Sequence, residues 1–413
     1  QRAVIDWQSF NVGKNAQVNF NQPSASAVTL NNIKDQNPSQ IYGQIHANGQ
    51  VFLSNPNGIL FSPTASVDVG GLVATTHGID ADAFMSGCGT FARGNASGSI
   101  INQGELKAAL GGYIALLAPH VQNAGVVIAQ SGTVAMASGD MVTLNFDGQV
   151  GLAGITTTPS AVASLIDNKL AVYAPDGQII LSAIGLNQLQ AGVINNSGIL
   201  AANSLTAKGG KIILEADSIA LASASNISAT GATGGGKVLV GGDWQGSGEI
   251  RSATKLTMEP GAYIDVGTTD NGNGGTIVLW SDVGNPQGQT VLGGTLKAEG
   301  GRNGGDGGQI ETSGHYLNVD QLNVSTRAIS GNSGTWLIDP SDVTIGNGAD
   351  ANVNFSSPNY NTNGGLATSY INVNTLATAL GAGSVTVMSS NGTGGTGNIT
   401  LANDLSWAAN YTL

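Results

Sequence analysis

Along most of this chain, short runs of alternating apolar and polar residues are each stopped by Gly, Asn or Asp. Alternation with a period of two marks a strand with one buried face, and the small polar stops mark turns. The runs also repeat as phrases. Asn102-Gln103-Gly104 opens an alternating run that ends at Ala108, and the same frame returns at Asn123-Ala124-Gly125 and at Asn196-Ser197-Gly198. The step from Asn102 to Asn123 is 21 residues. A second phrase, Gly followed by alternating aliphatic residues, steps 20 residues from Gly112 to Gly132. It reappears at Gly210, Gly236, Gly275 and Gly308 with steps of 26, 39 and 33 residues.

Short strands repeating at about 20 residues, with no intervening stretch long enough for a crossover helix, predict an all-β fold: a right-handed parallel β-helix with loop excursions. A β-sandwich would show turn signals but has no cause to repeat whole phrases. Gly and Asn are expected at the corners because they tolerate the left-handed backbone region. Equivalent Asn residues one coil apart are expected to stack as a ladder. Three stretches break the rhythm. Residues 75–99 read as an excursion containing Gly87-Cys88-Gly89. Pro159 to Asn168 reads as a short helix capped by Ser160, and Ser182 to Gln190 as one or two further helical turns.

Composition narrows the function. Only 10% of the 413 residues are charged, and 62 are Gly. A net charge of −12 excludes a nucleic-acid partner, since phosphate contact needs clustered Lys and Arg. No apolar stretch reaches the roughly 20 residues of a membrane span, so no membrane insertion is expected. Aromatics are 5% of the chain, as expected for a narrow coil interior with little room for Trp or Phe. The chain opens at Gln1 without a basic n-region or apolar h-region, which leaves a signal peptide absent or already removed.

Two runs near the N-terminus carry a resemblance. Val4-Ile5-Asp6-Trp7-Gln8-Ser9-Phe10-Asn11-Val12-Gly13 resembles the secretion domain of filamentous-haemagglutinin-like exoproteins. Ser39 to Phe61, with Asn55-Pro56-Asn57-Gly58-Ile59 inside it, is similar to the high-molecular-weight and biofilm-matrix adhesins of the two-partner secretion family. The five-residue motif matches that family's hallmark. The resemblance implies a secreted, cell-surface exoprotein whose N-terminal domain is read by an outer-membrane β-barrel transporter with periplasmic domains. It also implies an organisation of residues 1–215 as the secretion β-helix, 216–335 as continuing coils, and 336–413 as a further β-rich segment.

The motif has a plain reading beside the functional one. Asn-Pro and Asn-Gly are strong turn dipeptides, so Asn55 to Ile59 closes a coil, contacts the transporter, or does both. Other chemistry is sparse. His46, His77, His120 and His315 show no zinc spacing, and no metal or cofactor is expected. Gly231 to Lys237 has phosphate-loop spacing, but Val238 stands where Ser or Thr would bind magnesium, and a strand follows. Asp339 with Asp342, and Asp265 with Asp270, are the acid pairs a polysaccharide-acting enzyme would need. With 14 basic residues in the chain, they read as solvated loop residues, and no catalytic residue is assigned. Trp244 is the candidate glycan contact; its alternative is to cover a coil edge. An adhesin that binds polysaccharide or a host-surface glycan is therefore expected. A β-helical polysaccharide-acting enzyme, or the N-terminal part of a toxin-delivery or haem-capture exoprotein, stays open beside it.

Overall fold

The computed structural model describes all residues except 149, 351, 355–360, 363–367 and 390–394. Parts of the 336–413 segment therefore lie outside the described residues. The chain forms two compact units, residues 1–201 and 202–413.

In the first unit successive coils contribute strands to three parallel faces, the first coil giving the second face only the bridge Val12 to Ile41. One face stacks Arg2–Trp7, Val28–Ile33, Gln50–Ser54, Gly71–Thr75, Tyr113–Leu117, Thr133–Ser138 and Gln178–Ala183 in parallel register. A second face stacks Ser39–Ile41, Ile59–Phe61, Ser99–Asn102, His120–Asn123, Ser164–Asn168 and Gly192–Asn196. The third runs from Gln17–Phe20 through Gln44–Ala47, Ser66–Val69, Glu105–Ala108, Val126–Ala129 and Ala171–Tyr173 to Ile199–Ala201. This is a parallel β-helix. Alternation decides what enters it: Ile45, Val67, Leu106, Val127 and Val172 are all buried on successive coils, while their sequence neighbours, Ala171 apart, are more exposed.

The repeated phrases now have physical causes. Asn102 donates to Asn123 at 2.9 Å, Asn123 to Asn168 at 2.8 Å, and Asn168 to Asn196 at 2.7 Å, all buried. The expected ladder exists, and it starts at Asn102 because that residue's register partner on the preceding coil is Phe61. The glycine phrase has a different cause from the one expected. Gly112, Gly132 and Gly177 are not in the left-handed region. They form a column instead. A Cβ at Gly112 would lie 2.1 Å from the Gly70 carbonyl oxygen, at Gly132 1.8 Å from that of Gly112, and at Gly177 2.1 Å from that of Gly132. Successive backbones approach too closely for any side chain.

Two excursions leave this stack, at residues 76–98 and 139–163. The first holds the helix Ala81–Met85, capped by Asp80, whose carboxylate accepts from the Ala83 N–H. Its strand Thr90–Ala92 then pairs antiparallel with Met141–Asp147 from the second excursion, which pairs in turn with Gly151–Thr157. Together they roof the outer side of the first face. Phe84, Phe91, Val142, Leu144 and Leu152 pack there on Phe52, Val73, Tyr113 and Leu117. His77 ties the two roots together through its ring Nε2 and the Gly139 carbonyl, 2.8 Å apart.

Two expected helices are corrected. Ser164–Asn168 is a strand, because Asn168 takes its place in the ladder and Ile166 enters the core. Ser160 opens no helix: its hydroxyl accepts the Val162 N–H at 3.2 Å, and its backbone forms an isolated bridge to Gly185. Of Ser182 to Gln190, only Gln188–Gln190 is helical, a single 3-10 turn; Ser182 and Ala183 end a strand.

In the second unit, Lys211–Ala216, Lys237–Val240, Thr276–Trp280, Gln309–Gly314, Thr335–Pro340 and Ser384–Val387 stack in parallel. A glycine column recurs through Gly236, Gly275, Gly308 and Gly334, where an added Cβ would lie 1.8–2.2 Å from the carbonyl oxygen one coil below. Trp336 corrects the expectation of a narrow interior. It is 1% exposed, in register with Ile310 and on its face of the sheet, and its indole donates to Thr312 at 3.1 Å.

Candidate functional site

The five motif residues divide sharply by exposure. Asn55, Gly58 and Ile59 are buried, whereas Pro56 and Asn57 are exposed. A β-turn runs from Asn55 to Gly58, whose N–H donates to the Asn55 carbonyl at 3.0 Å. Pro at the second turn position presets φ, Asn at the first accepts from the backbone two residues on, and Gly follows at the fourth. The Asn55 side chain fits that logic: its oxygen accepts the Asn57 N–H at 3.0 Å.

The same amide also reaches across to the preceding coil. Its nitrogen donates to the Asn37 carbonyl at 3.1 Å and to the Ser39 hydroxyl at 3.0 Å. The Asn55 backbone N–H donates to the Thr75 carbonyl at 2.9 Å, on the following coil. Asn57 adds a bond from its amide to the Asp35 carbonyl at 2.8 Å. Gly58 has φ of +113°, and a Cβ there would lie 2.8 Å from the Ser99 carbonyl oxygen. Gly98 closes over the turn, its N–H donating to the Pro56 carbonyl at 3.2 Å. The motif is thus a staple joining the coil before it, its own coil and the chain returning from the first excursion. Ile59 anchors it by entering the core beneath, in register with Ser39 and Ile100.

Asp35, Asn37, Ser39 and Gly98 are partners that the motif's sequence does not announce. Asn37-Pro38 is a turn signal that points to the first group. Gly98 carries no signal, because it arrives only after the excursion.

The remaining candidates are dispersed. Trp244 sits in a 3-10 turn, Trp244–Gly246, half-buried against the cluster of Leu239, Val278, Trp280 and Val283. Asp342 accepts from Thr396 and from the Asn398 N–H at 2.9 Å; burial opposes its ionisation, but these hydrogen bonds outweigh it and hold the carboxyl below its usual range. Asp265 accepts from the Tyr263 hydroxyl and the Gly267 N–H, both at 2.7 Å. Asp270 accepts from the Asn303 amide. Asp339 is buried on the strand Thr335–Pro340 and Asp342 is buried beside it in sequence, so these two are not the solvated loop residues expected. Among the described residues no group of three or more His, Cys, Asp or Glu is arranged to hold a metal ion. His77 is buried, and burial lowers its pKa; His315 meets the Val283 carbonyl at 3.1 Å.

Residues 1–229 match the model of the TPS secretion domain. A heme/hemopexin-binding protein of Haemophilus influenzae is 36% identical over 232 residues, covering 54% of this chain and 25% of that protein. A second Haemophilus influenzae protein of the same name is 30% identical over 287 residues, covering 64% of this chain and 30% of that one. The chain thus spans less than a third of the length of these relatives. Among solved structures, the crystal structure of the HMW1 secretion domain from Haemophilus influenzae aligns with a TM-score of 0.64 and 27% identity, over 82% of this chain and 94% of that one.

Proposed function

The chain belongs to the TPS secretion domain family, that of exoproteins exported by two-partner secretion, and from that premise we propose how its motif serves export and what the exported protein does. As a member it is secreted to the cell surface or beyond, and its partner in export is an outer-membrane transporter. Asn55 acts through the fold, stapling three successive passes of the chain as the coils form. Pro56 and Asn57 are the residues the transporter reads. The observation that carries this division is the complete burial of Asn55, its amide engaged at both ends, beside two exposed neighbours.

The test is export of the full chain by its cognate transporter, read together with thermal stability. Asn55→Ala is expected to lower both, with roughly 2 kcal/mol lost as buried partners are left unpaired. Replacing Pro56 and Asn57 together by Ala and Ser is expected to lower export with a far smaller change in stability. Export of Asn55→Ala at the parent level, despite the lost stability, would remove the staple from the export step.

The exported protein itself is read as a non-enzymatic adhesin that binds polysaccharide or a host glycan, with Trp244 the residue to try first. The likeness to a secretion domain whose source is an HMW1 protein supports this, as does a surface poor in charge. No release of reducing ends or unsaturated products from acidic polysaccharides is expected. The name of the two Haemophilus relatives, heme/hemopexin-binding protein, gives the competing reading, and titration of the full-length protein with haem and with hemopexin separates it from adhesion.

A further inference from the structure

Residues 241–253 form an Ω-loop closed at its neck by the Ala253 N–H donating to the Gly241 carbonyl at 2.8 Å. It lies flat on the outer face of the second unit's sheet. A Cβ at Gly242 or Gly246 would come within 2.5 or 2.8 Å of the Trp280 indole, so the strap's backbone rests on that ring. The Trp280 indole N–H donates back to Ser252 at 3.1 Å, and Trp244 and Ile250 pack on the same cluster. Gly241, Gln245 and Gly246 all have positive φ, with Gln245 at 51°, a conformation held by its surroundings. The far limb is anchored by Arg251, which pairs with Asp217 at 3.0 Å and whose N–H donates to Glu215 at 2.9 Å.

Beneath the near limb lies a buried carboxyl group. Glu311 is fully buried on the strand Gln309–Gly314; it accepts the Gln245 N–H at 2.8 Å and the Ser313 hydroxyl at 3.0 Å. Asp339, on the adjacent strand, and Asp243, on the strap, both act on it with like charge. The nearby cation, Lys237, is 3.5 Å from Asp243. Burial is the largest influence on Glu311, followed by the two hydrogen bonds that oppose it and then the two acids; together they push its pKa up to about 7.

We propose that residues 241–253 are an acid-latched strap, closed over the Trp280 face while Glu311 is protonated and loosened as Glu311 ionises. Ionisation places a buried negative charge, only partly offset by its two hydrogen bonds, beneath a loop that itself carries Asp243, and lifting the near limb admits water to both. A carboxyl of raised pKa stabilises the closed state fully below its free value of 4.5, and that stabilisation is lost as pH rises through the folded value. Loosening therefore develops between these two values and levels off above them.

Hydrogen exchange of the strap amides in the full chain, corrected for the intrinsic rate, tests this from pH 5 to 8. Protection is expected to fall by up to about tenfold per pH unit as far as neutrality and then flatten. Glu311→Gln is expected to keep the strap closed at every pH. Should that variant not fold, Glu311→Met serves, with the same flat profile expected. A parent profile without slope overturns the proposal, and so does a variant that retains the parent's slope.

Discussion

The two units cover the same kind of sheet face in opposite ways. In the first, two excursions combine into an antiparallel roof centred on an apolar cluster, with Phe84 and Phe91 edge-on or tilted against Phe52 and polar bonds from Thr133 and Gln178 to the Leu152 carbonyl at its side. In the second, the strap of residues 241–253 does the work with two tryptophans and a buried acid. The sheets beneath share parallel register and a glycine column, so the roof, not the coil, sets how each unit responds to its surroundings. The large roof has its buried histidine, His77, at its root. A small roof over Glu311 senses protons at its centre.

The largest effect is expected where the units agree. Gly132→Ala in the first and Gly334→Ala in the second each place a Cβ 1.8 Å from a carbonyl oxygen. Each should cost on the order of 3 kcal/mol or more in urea unfolding, since backbone cannot yield as a side chain does. A mild loss at either position would break the claim that the column is common to both.

Asn123→Ala comes next and sharpens the difference. It removes the middle of the amide ladder, leaving the Asn102 donor and the Asn168 acceptor short of partners, at roughly 2–3 kcal/mol. Protection of amides in residues 99–129 should fall, while the second unit's exchange stays at the parent level.

The smallest effect concerns protons. Burial, aided by the charge of Arg93 and opposed by the Gly139 carbonyl and Asp140, holds the His77 pKa below 6.5. The folded ring takes up a proton less readily than the unfolded one. The stability it contributes is complete above about pH 6.5 and is lost as pH falls through the lower folded value. Acid should therefore loosen the first unit's roof while tightening the second unit's strap. In His77→Gln the roof's acid sensitivity should shrink between pH 7 and 5, read by melting temperature.

The coil architecture was legible because its causes are local and repeated. Asn-x-Gly at a 21-residue step encodes both the turn and the ladder, and alternation encodes the buried rows. Ser164–Asn168 misled because Ala and Leu nearby favour helix, while register with His120–Asn123 is a distant fact. The motif's role was half legible. Its turn could be read from Pro56 and Gly58, but the burial of Asn55 depends on Asn37 and Ser39 arriving from another coil. Glu311 could not be found at all, since an isolated acid in a strand gives no hint of the strap that closes over it. Trp336 shows the limit of composition: a low aromatic count says nothing about where a single indole finds room.

The amide ladder has a direction. The oxygens of Asn102 and Asn123 are fixed by the N–H groups of Gly104 and Gly125, so their nitrogens must point toward the next coil. Within the row, each coil meets a donor already aimed at it from the coil before; at the C-terminal end the Asn196 amide turns back to the Gly198 carbonyl of its own coil at 3.1 Å. A coil joining at the opposite edge would have to bring its own donor. The row is therefore a polar template: it favours growth of the stack in the order in which the chain is written, each finished coil specifying where the next must set its asparagine.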